Sequence, residues 1–134
     1  MTIEVAAGLV FRDGKLLITL RKPDVHLANL WEFPGGKREP GESFEQCLAR
    51  ELFEEVGIEA EVGALVESLT HDYPERSVHL KFFLCRWLRH EAKPIHCAEV
   101  AWIALEEIGR YEFPAADVRV LEKLRLNWTK WSKF

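Results

Sequence analysis

With 134 residues, of which 48% are hydrophobic and 30% charged, the chain has the size and balance of one domain, residues 1–134, able to bury roughly two thirds of its unfolded surface. A net charge of -4 argues against coating nucleic acid or a membrane surface, so no direct nucleic-acid or membrane partner is expected. Glu4 stands where a signal peptide would need basic residues, no apolar run approaches the ~18 residues of a membrane span, and Cys47, Cys85 and Cys97 lack CxxC spacing, which reads as a cytoplasmic protein whose reduced thiols serve packing.

The first predicted elements are strands over 3–11 and 15–20, joined by Asp13-Gly14, a strong hairpin signal. A polar loop follows, and 31–34 reads as a short strand leading into a Gly35-Gly36 turn. Ser43 and Gln46 stand at capping-box spacing, and no Gly or Pro interrupts the chain before Gly57, so a helix over about 43–56 is expected to stop there. The stretches 58–70 and 77–88 read as a longer antiparallel pair, and 100–104 as one more strand. Pro114 and Asp117 open a last helix through about 126, with Val118, Leu121, Leu124 and Arg125 at helical spacing. Trp128, Trp131 and Phe134 read as terminal packing. There is no internal repeat, low-complexity tract or linker, and strands with two helices on a sheet give an α+β domain.

The first helix carries the chemistry. Glu51, Glu54 and Glu55 sit at i, i+3 and i+4, which puts three carboxylates on one face beside an apolar stripe of Leu48, Leu52 and Val56. Two of them lie in the last turn, where the helix dipole disfavours negative charge. Seven acids and one base, Arg50, lie between Glu42 and Glu61, so charge must be supplied from outside. Mg2+, with Mn2+ as a substitute, is the natural source, because it binds through few carboxylates and keeps positions for water and phosphate. A solvated acidic face is the bland alternative.

The flanks decide between them. Gly36, Glu42 and then Arg50-Glu51-Leu52-Phe53-Glu54-Glu55-Val56-Gly57-Ile58 match the fixed positions of the Nudix box. The segments His26-Leu27-Ala28-Asn29, Glu32-Phe33-Pro34-Gly35-Gly36-Lys37, Tyr73-Pro74-Glu75-Arg76 and Phe113-Pro114-Ala115-Ala116-Asp117 resemble the MutT-like branch of that family, so the resemblance covers nearly the whole chain.

That resemblance implies a Nudix fold, an α/β/α sandwich with a mixed sheet between helices. It implies a hydrolase that turns a nucleoside triphosphate into monophosphate and diphosphate, most of all on oxidised dGTP (8-oxo-dGTP) in cleaning the nucleotide pool. CTP or 5-substituted dCTP is the alternative. A nucleotide sugar, a dinucleotide or a non-catalytic reader domain comes after. The implied partner is the nucleotide, with the chain a monomer or weak homodimer. By position, Glu54, Glu55 and the Gly35 carbonyl would hold the metal, and Glu51 would ligate it or take the proton from water. Arg50 would hold a neighbouring glutamate, Glu42 would be an outer ligand, and Gly36 and Gly57 complete the box. Relatives supply a further acid from the loop before Trp102; here that place holds His96, with Glu99 nearby as a substitute. Lys37 and Arg38 would contact phosphate. Arg21, His26, Phe33 and Asp117 would line the nucleobase pocket. An ionised Asp117 accepts but cannot donate, which suits an exocyclic amine such as cytosine N4; Asp is equally an N-cap for the last helix.

Overall fold

The computed structural model describes residues 2–133, so Phe134 of the aromatic tail lies outside the described residues. Seven strands and two helices follow in the order β1 (Thr2–Arg12), β2 (Lys15–Leu20), β3 (Trp31–Glu32), β4 (Gly35–Lys37), α1 (Phe44–Val56), β5 (Glu59–Tyr73), β6 (Arg76–Arg89), β7 (Glu99–Ile103) and α2 (Val118–Trp131), with 3-10 turns at Leu105–Arg110 and Ala115–Asp117. The strands form one sheet ordered β3-β2-β1-β6-β5, with β4 also on β1 and β7 on β2. β1 runs parallel to β6 and antiparallel to its other partners, so the sheet is mixed.

Burial explains the layers. Ala6 to Phe11 form an apolar run that is buried throughout, as a strand covered on both faces requires. On one face Val10, Leu17, Phe83 and Cys85 pack under Cys47, Leu48, Leu52 and Val56 of α1. On the other, Leu9, Phe11, Ile18 and Phe82 pack under Val120, Leu124 and Trp128 of α2. This is the expected sandwich. Cys47, Cys85 and Cys97 are free and buried. No described helix is long and apolar enough to cross a membrane.

Three local readings are corrected. Gly35 and Gly36 form β4 rather than a turn, paired with Ala7 and Ala6 of β1. Two adjacent glycines signal a turn locally, but here they serve close approach: a Cβ on Gly35 would lie 2.0 Å from the Ala6 carbonyl oxygen. The strand ahead of them shrinks to two residues, which pair with β2. The last helix continues to Trp131, and its buried stripe is Val120, Leu124 and Trp128, with Val118 left half exposed. Trp128 decides that rotation, meeting Phe11 edge-on at 5.2 Å.

The Asp13-Gly14 turn forms as expected, both residues at positive φ (50° and 78°). The hairpin pairs only Phe11 with Leu16 and Arg12 with Lys15 before β1 and β2 separate. β4 and β3 fill the two sides of that opening, and a cleft forms there.

Candidate active-site cleft

α1 is built to hold acids at a defined place. Ser43 accepts from the Gln46 N–H at 3.0 Å while the Gln46 side chain accepts from the Ser43 N–H at 2.8 Å, and Gly57 closes the helix at φ 75° with its N–H on the Phe53 carbonyl. No basic residue stands in the last turn. The terminal carbonyls are met instead by the loop after β6: Lys93 N–H donates to Val56, and Ile95 and His96 N–H to Glu55, at 2.9, 3.2 and 3.1 Å.

Arg50 ties the acidic face together. It donates to Glu42 at 2.7 and 3.1 Å, to Glu54 at 3.2 Å, to Glu51 at 3.4 Å and to the Lys37 carbonyl at 3.1 Å. The guanidinium holds the Glu42 carboxyl at a pKa of about 2. Glu51 is half-buried, and burial raises its pKa. Its carboxyl lies directly over Gly36, where a Cβ would sit 2.3 Å from the carboxyl carbon, so the glycine is required by the glutamate.

Glu55 is the most perturbed of the three. Burial, with the charges of Glu32 and Glu51 nearby, pushes its pKa to about 8, opposed by the Thr19 hydroxyl that donates from 3.4 Å. A largely buried carboxyl of this kind fits a cation by charge and by donor type. Among the described residues no three His, Cys, Asp or Glu side chains are already gathered to hold an ion, and Glu54 is bonded to Arg50.

Glu55 opens into a cleft of about 330 Å³, and Arg21, His26, Phe33 and Asp117 line the same cleft with Gly35, Gly36 and Lys37. Phe33 supplies its apolar wall, stacked on Phe113 at 5.1 Å and edge-on to Phe82 at 6.0 Å. Asp117 immediately precedes α2 yet makes no side-chain bond to it; at 6% exposure its carboxyl belongs to the cleft rather than to a helix cap. Burial first, then the Glu32 charge, raises its pKa to about 7. Arg21 lines the cleft but is committed, its guanidinium donating to both Glu32 oxygens at 3.0 and 3.2 Å and to the His26 carbonyl at 2.7 Å. His26 meets Tyr73 edge-on at 4.9 Å.

Other expected residues do not line the cleft: Glu42, Arg50, Glu51 and Glu54 stand beside it, with Glu51 over Gly36. Arg38 does not line the cleft; it is turned to Glu4 and to the Glu42 carbonyl. Glu99 is an exposed residue paired with Leu20 at the start of β7, while His96 lines the cleft. Sequence reasoning gave no site role to Glu32 and Tyr73, which served only the family resemblance, and none to Thr19. Glu32 stood in a segment of the resemblance, as a charged residue between Trp31 and Phe33, but the pairing of Thr19 with Glu32 is what brings it beside Glu55.

A NUDIX domain model matches residues 6–123. The chain is 40% identical over 120 residues to a CTP pyrophosphohydrolase of Escherichia coli K12, covering 90% of this chain and 89% of that one. It is 36% identical over 124 residues to the 8-oxo-dGTP diphosphatase of the same organism, covering 92% and 96%. Among solved structures, that of the E. coli ORF135 protein superposes with a TM-score of 0.79 at 37% identity, covering 94% of this chain and 90% of that one.

Proposed function

The chain belongs to the Nudix family, and from that premise we propose that it is a metal-dependent nucleoside triphosphate pyrophosphohydrolase that releases a monophosphate and diphosphate, acting on 8-oxo-dGTP to clean the nucleotide pool. One observation carries the reading: Glu55 and Asp117, an acid suited to a cation and an acid suited to a base, open into one cleft of nucleotide size.

Nudix hydrolases generally use divalent metal ions. Glu51, Glu54, Glu55 and the Gly35 carbonyl would hold Mg2+ or Mn2+, with His96 the better placed of the two loop residues to complete the set. Bound there, the ion supplies a Lewis acid for the phosphates and lowers the pKa of water. The rest of the work belongs to the chain. Glu51, with its raised pKa, takes the proton from the attacking water. Arg50 keeps Glu51 and Glu54 at fixed reach. Lys37 meets the outer phosphates from β4, Phe33 packs on the base, and Asp117 reads its edge. Residues 1–134 act as one catalytic domain, in the cytoplasm, as a monomer or weak homodimer.

Asp117 also favours a second substrate. A protonated carboxyl both donates and accepts, as needed for the O6 and N7–H of 8-oxoguanine, whereas the ionised form accepts only, as suits the cytosine amine. With a pKa of about 7 both forms are populated near neutrality, so 5-substituted dCTP or CTP is the alternative substrate. A panel of nucleoside triphosphates assayed for pyrophosphate against orthophosphate tests the reading, and in ¹⁸O water the label should enter pyrophosphate. Orthophosphate as first product would exclude it.

A further inference from the structure

Arg38 is placed to build the site rather than to touch substrate. Its backbone N–H donates to the Glu4 carbonyl at 2.8 Å, its Nε to the Glu4 carboxylate at 3.2 Å, and its Nη1 to the Glu42 carbonyl at 2.9 Å. Glu4 stands on β1 next to Val5, which pairs with Lys37, so the guanidinium fastens the turn before α1 to the sheet. The Arg38 guanidinium carbon lies 5.4 Å from the Phe44 ring centre, and the Lys81 ammonium lies 4.3 Å from it.

Glu42 is thereby held from two sides. Arg38 takes its main-chain carbonyl and Arg50 its carboxylate, while Arg50 also reaches the Lys37 carbonyl and the two acids Glu51 and Glu54. Glu4, Arg38, Glu42, Arg50 and Lys37 form a closed ring, of which only the Arg50 end meets the acidic face. The side chains of Glu4, Arg38, Glu42 and Arg50 are 36%, 27%, 16% and 25% exposed, so these bonds are partly shielded from water.

We propose that Arg38, anchored on Glu4, is a positioning residue that fixes Glu42 and through it the reach of Arg50 to Glu51 and Glu54. The proposal rests on the hydrolase reading above. It excludes a direct phosphate contact for Arg38 and gives a charge on β1, far along the chain from the Nudix box, a part in catalysis.

Arg38→Met keeps the aliphatic stem over Phe44 and removes the donors; Glu4→Gln weakens the same anchor without changing shape. Each should lower kcat roughly 10-fold, as outer partners of a metal site do, with KM for the triphosphate unchanged. The double variant should lose no more than the worse single one, because both act on one contact. Calorimetric titration of Mn2+ into nucleotide-free protein should weaken in parallel. A raised KM in Arg38→Met with Glu4→Gln at wild-type level would mean phosphate contact and overturn the proposal. Lowered melting temperature with wild-type kcat and Mn2+ affinity would equally overturn it, leaving a structural strut. Where Arg38→Met does not fold, Arg38→Lys and Glu4→Gln carry the same test. Wild-type protein inactive on every triphosphate would refute the hydrolase reading instead, and the Mn2+ titration would then decide the role of Arg38 alone.

Discussion

Glu54 and Glu55 differ in surroundings although one residue apart. Glu54 is a partly exposed acid bonded to Arg50, and Glu55 a largely buried one beside the charges of Glu32 and Glu51, with Arg21 opposing them more weakly. Glu54→Gln and Glu55→Gln should each lower kcat by roughly 100-fold or more, beyond the effect of an outer partner, with the fold intact by circular dichroism. Wild-type turnover in either would remove it from the metal set. Asp117→Asn addresses the base. The amide donates and accepts at every pH, so the swap should move the kcat/KM ratio of 8-oxo-dGTP over 5-methyl-dCTP toward the guanine substrate by about 1–3 kcal/mol. In the native protein the same ratio should fall as pH rises through about 7, and the variant should show no such fall. An unchanged ratio in Asp117→Asn would retire Asp117 and turn attention to Glu32 and His26.

At the scale of elements, the two glycines of β4 make opposite demands. Each lies against something that leaves no room for a Cβ, but Gly35 faces the backbone of β1 and Gly36 the movable end of a side chain. Gly35→Ala should therefore destabilise the β1–β4 pairing, on the order of 1–3 kcal/mol in chemical denaturation. Gly36→Ala should push the Glu51 carboxyl aside, lowering kcat roughly 10-fold or more while the denaturation midpoint moves little. Equal losses of stability in the two variants would count against this division. Here the local reading fell short for a definite reason: Gly-Gly signals flexibility when no neighbour is known, whereas the demand for glycine comes from Ala6 and Glu51, which are distant in sequence. In α2 the spacing of Val118, Leu121, Leu124 and Arg125 marked a helix but not its rotation, which Trp128 against Phe11 settled.

The whole molecule carries an electrostatic cost that pH exposes. Glu55, at about 8 against an ordinary 4.5, and Asp117, at about 7 against 3.8, both bind protons more tightly folded than unfolded. The stability they contribute is complete below about pH 4 and is lost as pH rises through 7 to 8. The pKa values of Glu32 and Glu51 are shifted in the same direction, while the group lowered to about 2, Glu42, titrates below this window. Metal-free protein should accordingly melt several degrees lower at pH 8 than at pH 5.5, and saturating Mg2+ should remove most of that slope by binding the ionised carboxylates. A flat profile without metal, or a slope that Mg2+ leaves untouched, would contradict the placement of an uncompensated acid in the cleft.

The sequence by itself determined α1 to within one residue, from the Ser43–Gln46 cap to Gly57, because caps and periodicity are local interactions. It also determined the acid face, since helical spacing states which side chains share a side, and an α+β class; the sandwich with its mixed sheet was implied by the resemblance to the Nudix family. Only the tertiary structure decided which charges remain free. Arg21 was expected at the nucleobase and Arg38 at phosphate, yet Glu32 and Glu4 engage them from other strands. Asp117 read equally as a cap or a base contact; the fold buries it beside the cleft and gives it no cap bond. The physical reason is range: hydrogen bonds that close a helix lie within four residues, whereas the partners and burial that fix a carboxylate's charge are supplied by strands brought together only when the sheet forms.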